Sequence, residues 1–183
     1  MKVTSPKTPT LKLPPKVHKE GHPGRPLVNS IDSPTSKISE YVDFHLQPFT
    51  DTIKSHIKDT NHFLNELQMI PEAQSKDSYL VTLDVRSLYT NIPNDEGIKV
   101  IKDLLQQKQS KLTTVITAFL WLILTLNNFV FNATNYLQLS GVAMGTKCAV
   151  IYANLFLSNF EETHIYQLLN NKCTFYKRHR FKK

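Results

Sequence analysis

Residues 79–93, YLVTLDVRSLYTNIP, are the stretch that decides the fold of this 183-residue chain. The first five are apolar or β-prone, which predicts a short strand covered on both faces. Asp84 falls at the end of that strand, and Pro93 stops regular pairing. A carboxylate at the end of a buried strand is costly unless a metal ion or a helix N-terminus stabilises it. The residues leave two interpretations, a metal-binding aspartate or an aspartate that caps the next turn.

Charge is unevenly distributed along the chain. The formal net charge is +7, of which residues 1–25 carry +5 and residues 172–183 carry +6. Because the two ends together exceed the total, residues 26–171 carry a net charge of −4. A nearly neutral body with two basic ends favours a polyanionic partner, most simply nucleic acid. Two solvated tails would give the same pattern.

Cysteine usage and hydropathy exclude several classes of protein. Cys148 and Cys173 lack the spacing of zinc ligands or of a disulfide framework, which favours a reducing compartment. The N-terminus has no signal-peptide core, and the most apolar run, residues 118–126, is too short to span a bilayer. We therefore expect an intracellular protein, in the nucleus or elsewhere in the cell, that is neither secreted nor embedded in a membrane.

Apolar periodicity predicts the remaining elements. They are helical spacing over residues 38–71 with a kink at Pro48, helices over 94–106, 113–126 and 147–169, and strands at 129–131 and 136–139 joined by a turn. Asn94 is expected to cap its helix. The 113–126 helix is apolar on most faces and is expected to be central.

Two loops have the composition of phosphate-binding segments. Residues 16–25, KVHKEGHPGR, mix cations with glycines. Gly141 and Gly145 precede the last long helix, where backbone can approach a ligand and the helix N-terminus favours an anion. From these residues alone, an exposed loop and a tight turn are the simpler interpretations.

Three segments together resemble the reverse transcriptases of Penelope-like retroelements. LDVRSLYTNIP is similar to motif A of that family, and QLSGVAMGTKCAVIYANLFLSNFE, residues 138–161, is similar to motif B. Residues 13–48 are similar to the fingers segment that precedes motif A. The resemblance extends over residues 13–176, nearly the whole chain.

The resemblance implies a role for each matching residue. It assigns magnesium binding to the carboxylate of Asp84, the catalytic aspartate, and to the carbonyl of Val85. It assigns exclusion of a ribose 2′-hydroxyl to Tyr89. It assigns contacts with the nucleotide to Lys16, Lys19, Arg25, Met144 and Gly145. The partners it implies are an RNA template, a DNA primer and dNTP, with Mg²⁺ as cofactor.

The chain departs from the family's pattern at three places. Asn132-Ala133 stands where the hairpin turn commonly has Asn-Gly, and Ala149-Val150 stands where the family usually has a proline. The family also continues into a Tyr-x-Asp-Asp turn, motif C, whereas residues 173–183 read CTFYKRHRFKK. Two divalent ions normally need several carboxylates. The resemblance therefore implies a reverse transcriptase domain truncated before motif C, with little or no polymerase activity.

The predicted fold class is α/β (α+β), a partial right-hand polymerase with fingers and an incomplete palm whose antiparallel sheet is backed by helices. The expected domains are an extended basic tail at 1–15, a fingers-like region at 16–77, a partial palm at 78–178 and a basic tail at 179–183. One alternative is a non-catalytic nucleic-acid-binding protein derived from a reverse transcriptase. Another is an incomplete chain that folds poorly because the edge of its motif A strand is exposed.

Overall fold

The structure, a computed structural model, describes residues 3–17, 19–71, 78–169 and 172–179. Its helices are α1 (Ser36–Leu46), α2 (Thr60–Gln68), α3 (Leu88–Asn91), α4 (Asn94–Gln107), α5 (Thr113–Thr125), α6 (Ala149–Phe160) and α7 (Tyr166–Leu169). A 3₁₀ segment, Gln47–Thr52, follows α1, and a π-helical turn, Glu161–Ile165, joins α6 to α7. The strands are β1 (Thr10–Lys12), β2 (Leu27–Asn29), β3 (His56–Ile57), β4 (Asn128–Phe131), β5 (Thr134–Leu137) and β6 (Arg178–His179).

Four strands form one sheet in the order β2-β1-β4-β5. The β1–β2 and β4–β5 pairs are antiparallel, and β1 runs parallel to β4, with Thr10 opposite Val130. A separate pair joins β3 to β6 in parallel, with Ile57 opposite His179. This mixed architecture, a mostly antiparallel sheet with helices, confirms the predicted fold class.

The hydrophobic core lies among helices α1, α4, α5 and α6. Each contributes an apolar stripe, such as Val42 and Leu46 on α1 and Ile101 and Leu105 on α4, all at most 1% exposed. The stripes recur at three- and four-residue steps, as a helix packed on one face requires. These helices back the sheet and its connecting loops.

Periodicity predicts several elements with accurate bounds. The helices predicted over 94–106 and 113–126 are α4 and α5, and the predicted hairpin is β4–β5 with a two-residue turn. Both turn residues, Asn132 and Ala133, have positive φ, at 46° and 60°. Alanine in place of the usual glycine therefore carries a Cβ at a left-handed position.

The predicted motif A strand is wrong. Residues 79–85 have no regular secondary structure and are exposed, with Tyr79 95%, Leu80 89% and Leu83 85% accessible. Asp84 is exposed as well, so the inferred buried carboxylate is also wrong. A strand is stable only beside another strand, and none of the strands in the described ranges pairs with this segment.

The predicted helical spacing over 38–71 is only partly correct. α1 ends at Leu46 because Pro48 has no N–H for the helical ladder and starts the 3₁₀ segment. Ile53 and Ile57 are buried, but they lie on either side of the turn at residues 54–55 that leads into β3, not on a helix. Their four-residue spacing matches that of a helix, but both side chains are buried from a short connecting segment.

α5 is less central than its composition predicts. Ile116, Leu120 and Ile123 face the core, whereas Trp121 is 55% exposed and Val115 is 40% exposed. Among the described residues, no helix has the length and hydropathy to cross a membrane.

Candidate functional site: the glycine turn and its neighbours

The motif B residues form a turn at 141–146, the glycine turn, which leads into α6. Gly141 and Gly145 have φ of 73° and 125°, values that residues other than glycine rarely adopt. A Cβ on Gly141 would collide with the carbonyl of Tyr89, and a Cβ on Gly145 would collide with that of Val28. Glycine is therefore required at both positions because the turn lies against two other backbones.

One side of the glycine turn is fixed to α3. The Val142 N–H donates to the Tyr89 carbonyl at 2.8 Å, which joins motif B directly to the predicted sugar-gate residue. Tyr89 is half-buried and packs against the helical core. The structure thus brings Tyr89 and the glycine turn together.

The other side of the glycine turn is fixed to β2. The Val28 N–H donates to the Met144 carbonyl at 2.7 Å, and the Ser30 hydroxyl donates to the Gly145 carbonyl at 3.0 Å. Met144 is half-buried and Gly145 is exposed. The turn is therefore held between α3, which lies within the motif A segment, and the strand that follows Arg25.

The predicted phosphate-binding residues lie on one backbone hairpin, the basic loop (residues 14–25). The Lys16 N–H donates to Pro23 O at 3.0 Å, and the Arg25 N–H donates to Pro14 O at 2.8 Å. The Lys19 N–H donates to Lys16 O at 3.0 Å. Lys19 and Arg25 are exposed and Lys16 is half-exposed. Since β2 begins two residues after Arg25, the loop continues into the strand that supports the glycine turn.

The predicted magnesium ligands are exposed to solvent. Asp84 and Val85 belong to the exposed 79–85 segment, and Val85 is 52% accessible. Within the described ranges, no three His, Cys, Asp or Glu side chains converge on a possible metal position. One exposed carboxylate does not fit a pair of divalent ions, which several carboxylates normally hold.

Two shallow grooves lie along α4 and α5, and the lining of the first includes Asn94 and Ser140 beside the glycine turn. One, of about 410 Å³, is lined by Asp95, Glu96 and Leu139 among others, and the second, of about 400 Å³, lies along α4 and α5. Trp121 contributes to both. Neither groove is lined by Asp84, by the basic loop or by Met144 and Gly145.

Cys148 lies just after the glycine turn and anchors the start of α6. Its N–H donates to the Ser39 hydroxyl on α1 at 3.1 Å, and the residue is fully buried. Burial raises the pKa of the Cys148 thiol to about 12. A thiol that stays protonated at neutral pH is not a nucleophile, so its contribution here is packing.

Sequence reasoning misses two residues that hold the glycine turn, Ser30 and Asn94. Asn94 is expected to cap α4, but the capping position is Pro93 and Asn94 is the first helical residue. Its side chain instead contacts the Leu139 carbonyl and the Gly141 N–H, on either side of Ser140. No periodicity or motif signals such contacts, because Asn94 and Gly141 are 47 positions apart.

Comparison with known proteins gives a similarity of fold with a solved structure. No protein-family model matches the chain, and no curated protein matches it. Among solved structures, the chain is similar to apo telomerase from Candida tropicalis truncated from the C-terminal domain, with a TM-score of 0.63 and 12% sequence identity. The similarity covers 94% of this chain and 42% of the telomerase chain. The protein therefore shares the fold of part of that telomerase chain, and it spans less than half of the structure that it matches.

Proposed function

We propose that this chain is part of the reverse transcriptase domain of a Penelope-like retroelement. In this proposal it binds a primer–template of DNA on RNA, with the incoming dNTP over the glycine turn. The observation that carries the proposal is the attachment of that turn to Tyr89 on one side and to β2 on the other. The motif A and motif B residues that would contact one nucleotide are thereby adjacent in a polymerase-like fold.

The basic loop supplies the contacts to phosphate in this proposal. Arg25 gives two parallel hydrogen bonds to a phosphate, and Lys16 and Lys19 add point charges. The hairpin that carries these side chains leads directly into β2, and Val28 of β2 is hydrogen-bonded to the Met144 carbonyl. Binding by such a cluster is largely electrostatic and therefore weakens with salt.

The 183 residues are proposed to extend a primer little or not at all. Asp84 and the Val85 carbonyl are the proposed magnesium ligands, but the described carboxylates do not form a set that could hold two divalent ions. The same observation favours the second candidate, a nucleic-acid-binding module without catalysis. Both candidates use the basic loop, and they differ in whether nucleotide is incorporated.

A paired binding and extension assay tests the proposal. Fluorescence anisotropy with a labelled RNA–DNA hybrid should show affinity falling about 10- to 100-fold between 50 and 200 mM salt. K16A, K19A and R25A should each reduce the slope of log affinity against log salt by about 1. K102A, which removes an exposed cation from α4 far along the chain, serves as the charge-matched control.

Primer extension with Mg²⁺ then separates the two candidates. Incorporation that is lost in D84N supports an enzyme, and binding without incorporation supports the module. If K16A, K19A, R25A and K102A all weaken hybrid binding equally, the effect is one of net charge alone. In that case the assigned nucleic-acid site is wrong.

A further inference from the structure

Asn94 connects the first turn of α4 to the glycine turn through both ends of its amide. Its Oδ1 accepts a hydrogen bond from the Gly141 N–H at 2.9 Å, and its Nδ2 donates to the Leu139 carbonyl at 3.4 Å. The side chain therefore spans the point where the chain leaves the hairpin and enters the turn.

The α4 helix has no other use for this amide. Asn94 occupies the first helical position, the capping residue is Pro93, and no side chain caps the helix. Asp95 and Glu96 in the first turn already place negative charge at the positive end of the helix. An asparagine at this position is therefore explained by what it contacts outside the helix.

The glycine turn needs such external contacts to keep one shape. It contains two residues at positive φ, Gly141 and Gly145, and glycine loses more conformational freedom on ordering than any other residue. The Val142–Tyr89 bond and the two bonds to β2 hold the middle and far end of the turn. The side chain of Asn94 holds its beginning.

We propose that Asn94 is a positioning residue that fixes the start of the glycine turn beside Tyr89, so that Met144 and Gly145 meet a bound nucleotide in one geometry. The link to nucleotide rests on the function proposed above, whereas the link to the turn rests on the two hydrogen bonds alone. Loss of Asn94 then frees the turn while the helical core, which it does not enter, stays intact.

Two variants and one control test this role in the full chain. N94A removes both hydrogen bonds, whereas N94D keeps an acceptor for the Gly141 N–H and loses the donor to Leu139. N65A, an exposed asparagine on α2, is the matched control. Hydrogen exchange is followed at the amides of Gly141 and Val142 and at core amides of α4 and α5. The affinity for a fluorescent dNTP is measured with the RNA–DNA hybrid bound.

We expect N94A to raise exchange at Gly141 and Val142 about 3- to 10-fold and to weaken dNTP binding by a similar factor. N94D should lie between N94A and the unsubstituted chain, and N65A should match the latter. Exchange in the α4 and α5 core should not change. If Asn94 served only the α4 helix, N94A and N94D would behave alike, because both variants keep the helix. Partial rescue by N94D would therefore point to the contact with the Gly141 N–H.

Three results would overturn the inference. They are unchanged exchange at Gly141 in N94A, equal behaviour of N94A and N94D, and accelerated exchange throughout the core. If the unsubstituted chain binds no dNTP, the proposed function is refuted, and the exchange data alone then decide whether Asn94 fixes the turn.

Discussion

Glu161 and Arg178 form a buried ion pair that attaches the last described strand to the helical core. The Arg178 Nε donates to Glu161 Oε1 at 2.6 Å, and Glu161 is 3% exposed. Ser55 and Tyr176 donate to the same carboxylate at 2.6 and 3.1 Å. Glu161 begins the π-helical turn after α6, and its carboxylate meets two other segments, one at Ser55 and one that carries Tyr176 and Arg178.

Removing one partner of this pair should be strongly destabilising. E161Q leaves the Arg178 guanidinium buried without its counter-charge, and we expect the free energy of unfolding to fall by about 3 kcal/mol. The measurement is urea denaturation followed by circular dichroism. K99A, which breaks the exposed Lys99–Asp103 pair of 3.1 Å on α4, should cost about 0.5 kcal/mol or less.

The double variant E161L/R178M tests whether charge is the cause. It removes both charges and keeps apolar volume, so it should recover much of the stability lost in E161Q. If E161Q and K99A have equal effects, the pair is not buried in solution as it is in the structure.

Stability should fall at alkaline pH through Tyr176. Burial, and then the neighbouring charge of Glu161, raise the pKa of the Tyr176 hydroxyl to about 12. The unfolded value is about 10. A pKa raised on folding contributes stability below about pH 10, and that contribution is lost as pH rises towards 12. The difference in unfolding free energy between the unsubstituted chain and Y176F should therefore shrink across that window. A constant difference from pH 9 to pH 11.5 would contradict the prediction.

The two cysteines should differ in reactivity. Cys148 is buried, and burial raises its pKa to about 12, whereas Cys173 is exposed. Ellman's reagent at pH 8 should modify Cys173 in the folded chain and reach Cys148 only after denaturation. C173S should remove the fast phase entirely. Rapid labelling of Cys148 without denaturant would show that the start of α6 opens readily.

Periodicity in the sequence predicts the elements whose stability comes from their own spacing. α4, α5 and the β4–β5 hairpin need only a core-facing stripe or a turn signal, and all three are found where the pattern places them.

Features that depend on distant partners could not be predicted. Residues 79–85 have strand propensity without a described neighbouring strand, and Ile57 is buried only because β6 pairs beside it. Asn94 has the composition of a cap, yet its side chain contacts Gly141. In each case the local pattern is consistent with two structures, and a contact far along the chain decides between them.

Replacing Ala133 with glycine should stabilise the hairpin. Ala133 has φ of 60°, a left-handed conformation in which its Cβ is strained, and the turn type favours Asn-Gly. We expect A133G to raise the free energy of unfolding by about 0.5–1 kcal/mol, measured by urea denaturation. A118G, in the interior of α5, should lower it by about 1 kcal/mol. Destabilisation by A133G would mean that the turn adopts another conformation in solution.

The exposed 79–85 segment should make the chain self-associate. It presents consecutive apolar side chains in a region without regular structure, and such a run with high β-propensity and one charge is prone to pair with another copy. L80K and L83K place a charge where the side chain is 89% and 85% accessible. Both should raise the concentration at which light scattering detects aggregates, while the urea midpoint stays unchanged because neither side chain contributes to the core.

M69K separates the effect of this segment from the effect of net charge. Met69 is 80% exposed at the end of α2, so the substitution adds the same charge to an exposed apolar side chain outside the 79–85 segment. If association arises from pairing of 79–85, M69K should leave the aggregation threshold where it is. An equal rise in all three variants would instead mean that colloidal repulsion controls solubility, since added charge anywhere on the surface would then suffice.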